Sequence, residues 1–214
     1  MALEDLLAKG ADALGVTLTD AQTTQLLDYR ALLERWNRHY NLTAIRDPEA
    51  MVVRHLLDSL SVLPHLDLPD GSPGELIDVG TGAGLPGMVL AIARPDLNIT
   101  LLDSNGKKTR FMVQAKMELD LANVVVEHAR VENARSENGY DRVLSRAFAS
   151  LNDMIDGCHQ LLADGGRYLA MKGQYPQEEI DAVRQKNAHR ISSIEVETLV
   201  VPGLEEERCL VVLQ

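Results

Sequence analysis

From residue 75 onward, short apolar runs alternate with stretches of helical periodicity. No other feature of the sequence constrains the fold as tightly. The runs are ELIDVG (75–80), NITLLDS (98–104), VVVEHA (124–129), DRVLSRA (141–147), GRYLAMKG (166–173), ISSIEVETLVV (191–201) and RCLVVLQ (208–214). Helical stretches near 86–94, 107–120, 151–163 and 176–187 fill the gaps. Strands that alternate with helices return to the sheet in the same direction, so the pattern predicts an α/β fold with a mostly parallel sheet and helices on both faces. Only PGLEEE (202–207) separates the last two runs. That is too short for a crossover, so these two form a hairpin and one strand runs antiparallel.

The first 65 residues read as helix. Leu26, Leu27, Leu32, Leu33 and Trp36 form one apolar stripe, which Thr19 or Asp20 can cap. Asp47 and Pro48 have the residue types of an N-cap and a first helical position. DLPDGSPG (67–74) reads as a connector. The chain therefore divides into an N-terminal helical extension, 1–66, and a second unit, 67–214.

Composition narrows the setting. A chain of 214 residues that is 45% hydrophobic can bury a substantial core. It has no apolar run of membrane-spanning length. MALEDLLAKG carries acids early and lacks the basic start of a signal peptide. Cys158 and Cys209 lie far apart, which argues against a disulfide framework and a zinc site. A soluble cytoplasmic protein is expected. The net charge of -11 speaks against broad nucleic-acid binding but leaves room for a local basic face.

DVGTGAGLPG (78–87) follows the first strand. Ligands of such sheets sit beyond the carboxyl ends of the strands. Gly80, Gly82 and Gly84 permit a tight turn and close backbone approach. Pro86 suits the start of the next helix, whose free N–H groups can face an anion. GAGLPG (82–87) matches GxGxxG, and Asp103 lies about 20 residues on, placed to hold a ribose. A dinucleotide and S-adenosylmethionine both satisfy this geometry, and an ordinary glycine-rich turn is the plain alternative. Asp78 tilts the choice, because a carboxylate there can face the amino group of an amino acid. The hairpin end of the sheet tilts it the same way.

The sequence resembles the bacterial RsmG (GidB) family, the small-subunit ribosomal RNA guanine-N7 methyltransferases. The resemblance rests on WNRHYNLTAIRDPEAMVVRHLLDSL (36–60), LIDVGTGAGLPG (76–87), LLDSNGKKTRF (101–111), SRAF (145–148) and MKG (171–173). It implies a class I S-adenosylmethionine-dependent methyltransferase fold, Rossmann-like, with a seven-stranded sheet. It also implies methylation of 16S ribosomal RNA at the guanosine numbered 527, with the small subunit or an assembly intermediate as partner and without membrane or metal. By the same resemblance Gly80, Leu85, Val131, Glu132 and Arg146 line the S-adenosylmethionine site.

The place after the fourth strand is where such enzymes carry reactive residues. This chain has SRAF there, not an acid-Pro-Pro-aromatic motif, and both cysteines fall inside regular elements. Guanine N7 presents a lone pair and no proton, so positioning suffices. Arg146 is expected to orient substrate or cofactor, and Phe148 to stack on the base or to pack in the core. Lys107, Lys108, Arg110, Arg54, His55 and Lys172 are candidates for a basic rim facing RNA phosphates, or for solvated surface. No spacing of His, Cys or carboxylates suggests a metal. Two other readings remain: a non-catalytic ribosome-binding module on the same fold, and a dinucleotide-dependent oxidoreductase.

Overall fold

A computed structural model describes residues 2–68, 74–146 and 148–214. Most of the expected connector at 67–74 lies outside the described residues, as does Ala147 at the end of the expected fourth strand.

The chain opens with α1 (Leu3–Ala13) and α2 (Asp20–Tyr40). Thr19 caps α2 in a reciprocal box. Its hydroxyl accepts from the Gln22 N–H at 3.2 Å, and the Gln22 Oε1 accepts from the Thr19 N–H at 2.9 Å. Asp47 caps α3 (Pro48–Met51) by accepting from the Ala50 N–H. The helix then widens into a π-helical stretch, Val52–Leu57, and closes with α4 (Asp58–Leu60). Such widened turns often occur at functional sites, and this one carries Arg54 and His55.

The alternating part contains β1 (Glu75–Val79), α5 (Gly87–Ala93), β2 (Asn98–Asp103), α6 (Gly106–Glu118), β3 (Val124–His128) and β4 (Tyr140–Ser145). It continues with α7 (Leu151–Cys158), β5 (Leu162–Lys172), α8 (Gln177–Lys186), β6 (Ile194–Thr198) and β7 (Cys209–Leu213). The sheet order is β3-β2-β1-β4-β5-β7-β6. The pairs from β3 across to β5 are parallel, while β7 runs antiparallel to both β5 and β6. The expected hairpin is present, and its second strand enters the sheet beside β5, leaving β6 at the edge.

One apolar cluster joins Leu7, Leu26, Leu33, Leu57 and Leu60 of the N-terminal helices to Leu76, Leu101 and Leu210 of the sheet. The second cluster lies on the opposite face, where α7 and α8 pack with Leu151, Ile155, Ile180 and Val183. Truncating a fully buried leucine such as Leu57 to Ala costs about 2–5 kcal/mol. Side chains of α2 also tie down helices of the alternating part: Gln22 donates to the Ala93 carbonyl at the end of α5, and Gln25 to Leu119 at the end of α6. No helix among the described residues is long and apolar enough to cross a membrane.

Candidate active site

The site forms at the carboxyl ends of β1, β2, β3 and β4. After β1 the chain turns through Gly80, Gly82 and Gly84 with φ of 68°, 67° and 91°. Side chains rarely adopt this left-handed region, so the glycines are a backbone requirement. The turn folds back onto β2: the Gly80 N–H donates to the Leu102 carbonyl at 2.8 Å, and the Gly82 N–H to Asp103 Oδ2 at 2.8 Å.

Asp78 is buried beneath this loop. Its Oδ2 accepts from the Thr81 hydroxyl at 2.5 Å and from the Gly87 N–H at 2.8 Å, while the buried Oδ1 has no partner among the described residues. The anion held at the start of α5 is thus the protein's own carboxylate. A Cβ at Gly87 would collide with it and with Leu101. Burial pushes the Asp78 carboxyl up to about 6, against the opposing effect of its hydrogen bonds from Thr81 and Gly87.

Two cavities open beyond the strands. The first, of about 350 Å³, is walled by Val79, Leu102, Val131 and Phe148 and carries Asp103, Glu132 and Lys108. The second, of about 430 Å³, is lined by Arg54, His55, Asp58, Arg146, Lys172 and Arg208, with Met171 and Ile45. A cleft of about 140 Å³ bridges them: it contains Gly80, which also lines the first cavity, and His55 and Arg146, which also line the second.

Charge in the second cavity is organised around Asp58. Its side chain is 3% exposed; Oδ2 accepts from Arg146 Nη1 at 3.2 Å and Oδ1 from Arg208 Nε at 3.1 Å. His55 contacts the Thr43 hydroxyl through Nε2 at 2.9 Å. Burial, helped by the Arg146 cation, lowers its pKa to about 4, so it is neutral at physiological pH.

The family model described as rRNA small subunit methyltransferase G (GidB) matches residues 22–211. The chain belongs to this family. The ribosomal RNA small subunit methyltransferase G of Marinomonas sp. (strain MWYL1) is 50% identical over 209 residues, covering 98% of this chain and 96% of that protein. The protein of the same name from Pseudomonas paraeruginosa (strain DSM 24068 / PA7) is 50% identical over 211 residues, covering 98% and 94%. A crystal structure of a SAM-dependent methyltransferase from Aquifex aeolicus aligns with TM-score 0.58 at 16% identity, over 81% of this chain and 96% of that one. M. jannaschii TYW2, crystallised with AdoMet, aligns with TM-score 0.52 at 14% identity, over 73% and 74%. These likenesses show the class I, Rossmann-like methyltransferase fold. The glycine loop is therefore a methyltransferase's and not that of a dinucleotide oxidoreductase.

The cofactor that goes with this family and fold is S-adenosylmethionine. The first cavity has the chemistry to hold its adenosine half. Val79, Leu102, Val131 and Phe148 offer apolar walls for a purine, and Asp103 offers a carboxylate for ribose hydroxyls. Asp103 already accepts from the Gly82 and Asn105 N–H groups, each at 2.8 Å. A carboxylate has about four acceptor sites, so these bonds leave capacity for a diol.

The residues singled out from the sequence separate into distinct places. Gly80, Asp103, Val131 and Glu132 line the first cavity; Gly82, Leu85 and Arg146 line the bridging cleft. Gly84 is buried in the turn, and Asp78 lines none of these spaces. Arg54, His55 and Lys172 line the second cavity. Two of them are engaged: Arg54 pairs with Glu206, and Lys172 with Glu179 at 2.9 Å. Lys107 and Arg110 stand exposed on α6. Lys108 and Phe148, expected on the RNA side, both stand in the first cavity. Lys108 Nζ lies 3.7 Å from Asp103 Oδ2 because the first turn of α6 wraps over the end of β2. Phe148 packs near Val131 and Gly157.

Asp58 and Arg208 escaped sequence reasoning. Asp58 occupies an ordinary polar position in LLDSL, and Arg208 merely precedes the last strand. Tyr29 escaped as well: it lies in the same helix as the apolar stripe, and its hydroxyl reaches the glycine loop. No group of His, Cys and carboxylates that could hold a metal occurs among the described residues.

Proposed function

We propose that this protein methylates N7 of a guanosine in 16S ribosomal RNA, at the position numbered 527 in the 530 loop, within the small subunit or its assembly intermediate in the cytoplasm. When bound, S-adenosylmethionine supplies the electrophilic methyl group. Asp103 and the apolar walls around it hold the adenosine, and the glycine loop bounds the route from there to Arg146. Arg54, Lys172 and Arg208 line the second cavity, each in an ion pair, and RNA phosphates would compete with their carboxylate partners.

The observation that carries this reading is the place of Arg146. It lines both the cleft reached from the first cavity and the cation-lined second cavity, so it stands where donor and acceptor would meet. The surroundings suit an acceptor that has no proton to lose. A general base works best with a pKa near the operating pH, and His55, at about 4, lies well below it. Asp78, at about 6, lies under the loop and lines none of the cavities. Burial pushes the Cys158 thiol up to about 12, and neither Cys158 nor Cys209 lines either cavity, so no covalent route is offered. The N7 lone pair needs only alignment. The positive charge that arrives on the purine lies near Arg146, whose own charge Asp58 shares in offsetting with that of Arg208.

The test is methylation of 16S RNA and of small subunits from a strain lacking this protein, with the modified base mapped. Methyl incorporation at guanine N7 is expected. Cofactor binding without incorporation into any of these substrates would favour a non-catalytic ribosome-binding module.

A further inference from the structure

Arg146 follows β4 and Arg208 precedes β7, and the end of β5 lies between these two strands. The two guanidinium groups nevertheless line one cavity, joined by the opposite oxygens of a single carboxylate. Among the described residues lining that cavity, Asp58 is the one carboxylate. It sits at the first position of α4, directly after the π-helical stretch, and is almost fully buried, whereas the Arg146 and Arg208 side chains are 34% and 23% exposed. Two cations on long flexible stems would repel each other and sample many rotamers. A buried anion bonded to both removes that freedom and sets their separation.

We propose that Asp58 is a positioning residue for methyl transfer: by bracketing Arg146 and Arg208 it fixes the geometry in which the target nucleotide is held. The proposal rests on the RNA methyltransferase reading of the same site. It has an unusual corollary, because Asp58 is an anion inside a surface that recruits a polyanion. Neutralising it raises the local positive charge. RNA affinity is then kept or increased while turnover falls, since misplacement by about 1 Å can cost on the order of a hundredfold in rate. A residue that served folding alone would degrade affinity, turnover and thermal stability together.

The experiment compares wild type with Asp58→Asn, a near-isosteric change. It measures methyl incorporation into 16S RNA (kcat and KM), RNA affinity across a salt series, S-adenosylmethionine affinity by calorimetry, and Tm. The expected result is a fall of about tenfold to a hundredfold in kcat, with RNA affinity equal or higher, a steeper salt dependence and unchanged cofactor affinity. A kcat equal to wild type overturns the proposal, as does a loss confined to RNA affinity. If Asp58→Asn does not fold, Asp58→Glu replaces it, keeping the charge while displacing it by one methylene. A reduced kcat at retained RNA affinity supports the proposal, and wild-type kinetics or failure of both variants to fold overturns it. Absence of incorporation by the wild-type protein in the same assay would count against the reaction itself.

Discussion

The Tyr29 hydroxyl, on the second N-terminal helix, donates a 2.7 Å hydrogen bond to the carbonyl of Ala83 in the glycine loop. Burial raises the phenol's pKa above its ordinary value and so keeps it a donor. The glycine loop, which lines the cleft between the two cavities, is thus held from outside the alternating part of the chain. Tyr29→Phe keeps the ring packed near Phe111 but leaves the carbonyl without this donor. A loss of about 1–3 kcal/mol is expected, shared between fold stability and cofactor affinity. Thermal denaturation with and without S-adenosylmethionine, together with calorimetry, measures both. No change in either would show that the bond does not brace the loop.

Lys107 and Lys108 are neighbours in sequence but face different surroundings. Lys107→Ala should make the salt dependence of RNA binding shallower by roughly one unit and spare cofactor affinity, as for one lost phosphate contact. Lys108→Ala should change cofactor affinity, because its ammonium lies beside Asp103 in the first cavity. Identical effects of the two substitutions would contradict this separation.

Asp103→Asn tests the ribose assignment without removing the side chain. The amide keeps one oxygen acceptor in place of the two that hold the Gly82 and Asn105 N–H groups. Loss of the charged acceptor should weaken S-adenosylmethionine binding by about 1.5–3 kcal/mol. A circular dichroism spectrum like that of wild type with unaltered cofactor affinity would remove Asp103 from the ribose.

Asp78 and His55 impose opposite pH dependences on stability. Folding raises the Asp78 pKa from 3.8 to about 6, so the folded state holds the extra proton and stability falls as pH rises through that window. Folding lowers the His55 pKa from 6.5 to about 4, so the unfolded state takes the proton first and stability falls as pH drops through that window. At about 1.4 kcal/mol per unit, each effect is worth roughly 3 kcal/mol, and between about pH 4 and 6 they largely cancel. Relative to wild type, Asp78→Asn should therefore make stability rise more steeply with pH there, and His55→Gln less steeply. Urea midpoints measured from pH 4 to 7 read both slopes. Parallel profiles for all three proteins would refute the assignment.

Where local chemistry decides, the sequence was readable. Each of the seven strands overlaps its apolar run, and Thr19 and Asp47 cap their helices, because strand periodicity and capping depend on residues a few positions apart. The carboxyl-end position of the glycine loop followed from strand order alone. The partners of Asp58 were not readable, since Arg146 and Arg208 lie 88 and 150 residues away and only the folded sheet brings them together. For Asp78 the sequence suggests a ligand contact but does not show its second role: Gly87 approaches so closely that its N–H takes one oxygen. The π-helical stretch leaves no composition signature, because it differs from an α-helix only in which carbonyl each N–H reaches.

The insertion of β7 between β5 and β6 sets an order of assembly. As the chain leaves the ribosome, the first five strands can join the sheet as their neighbours appear, whereas β6 emerges before the strand that will pair with it. Until β7 follows, one side of β5 and all of β6 are open edges, the kind of surface that invites pairing with other chains. Arg208, made just ahead of β7, reaches Asp58 at the same late moment. A nascent chain therefore lacks its arginine bracket until the hairpin docks, and a stop codon just before Cys209 would forfeit two strands by deleting one.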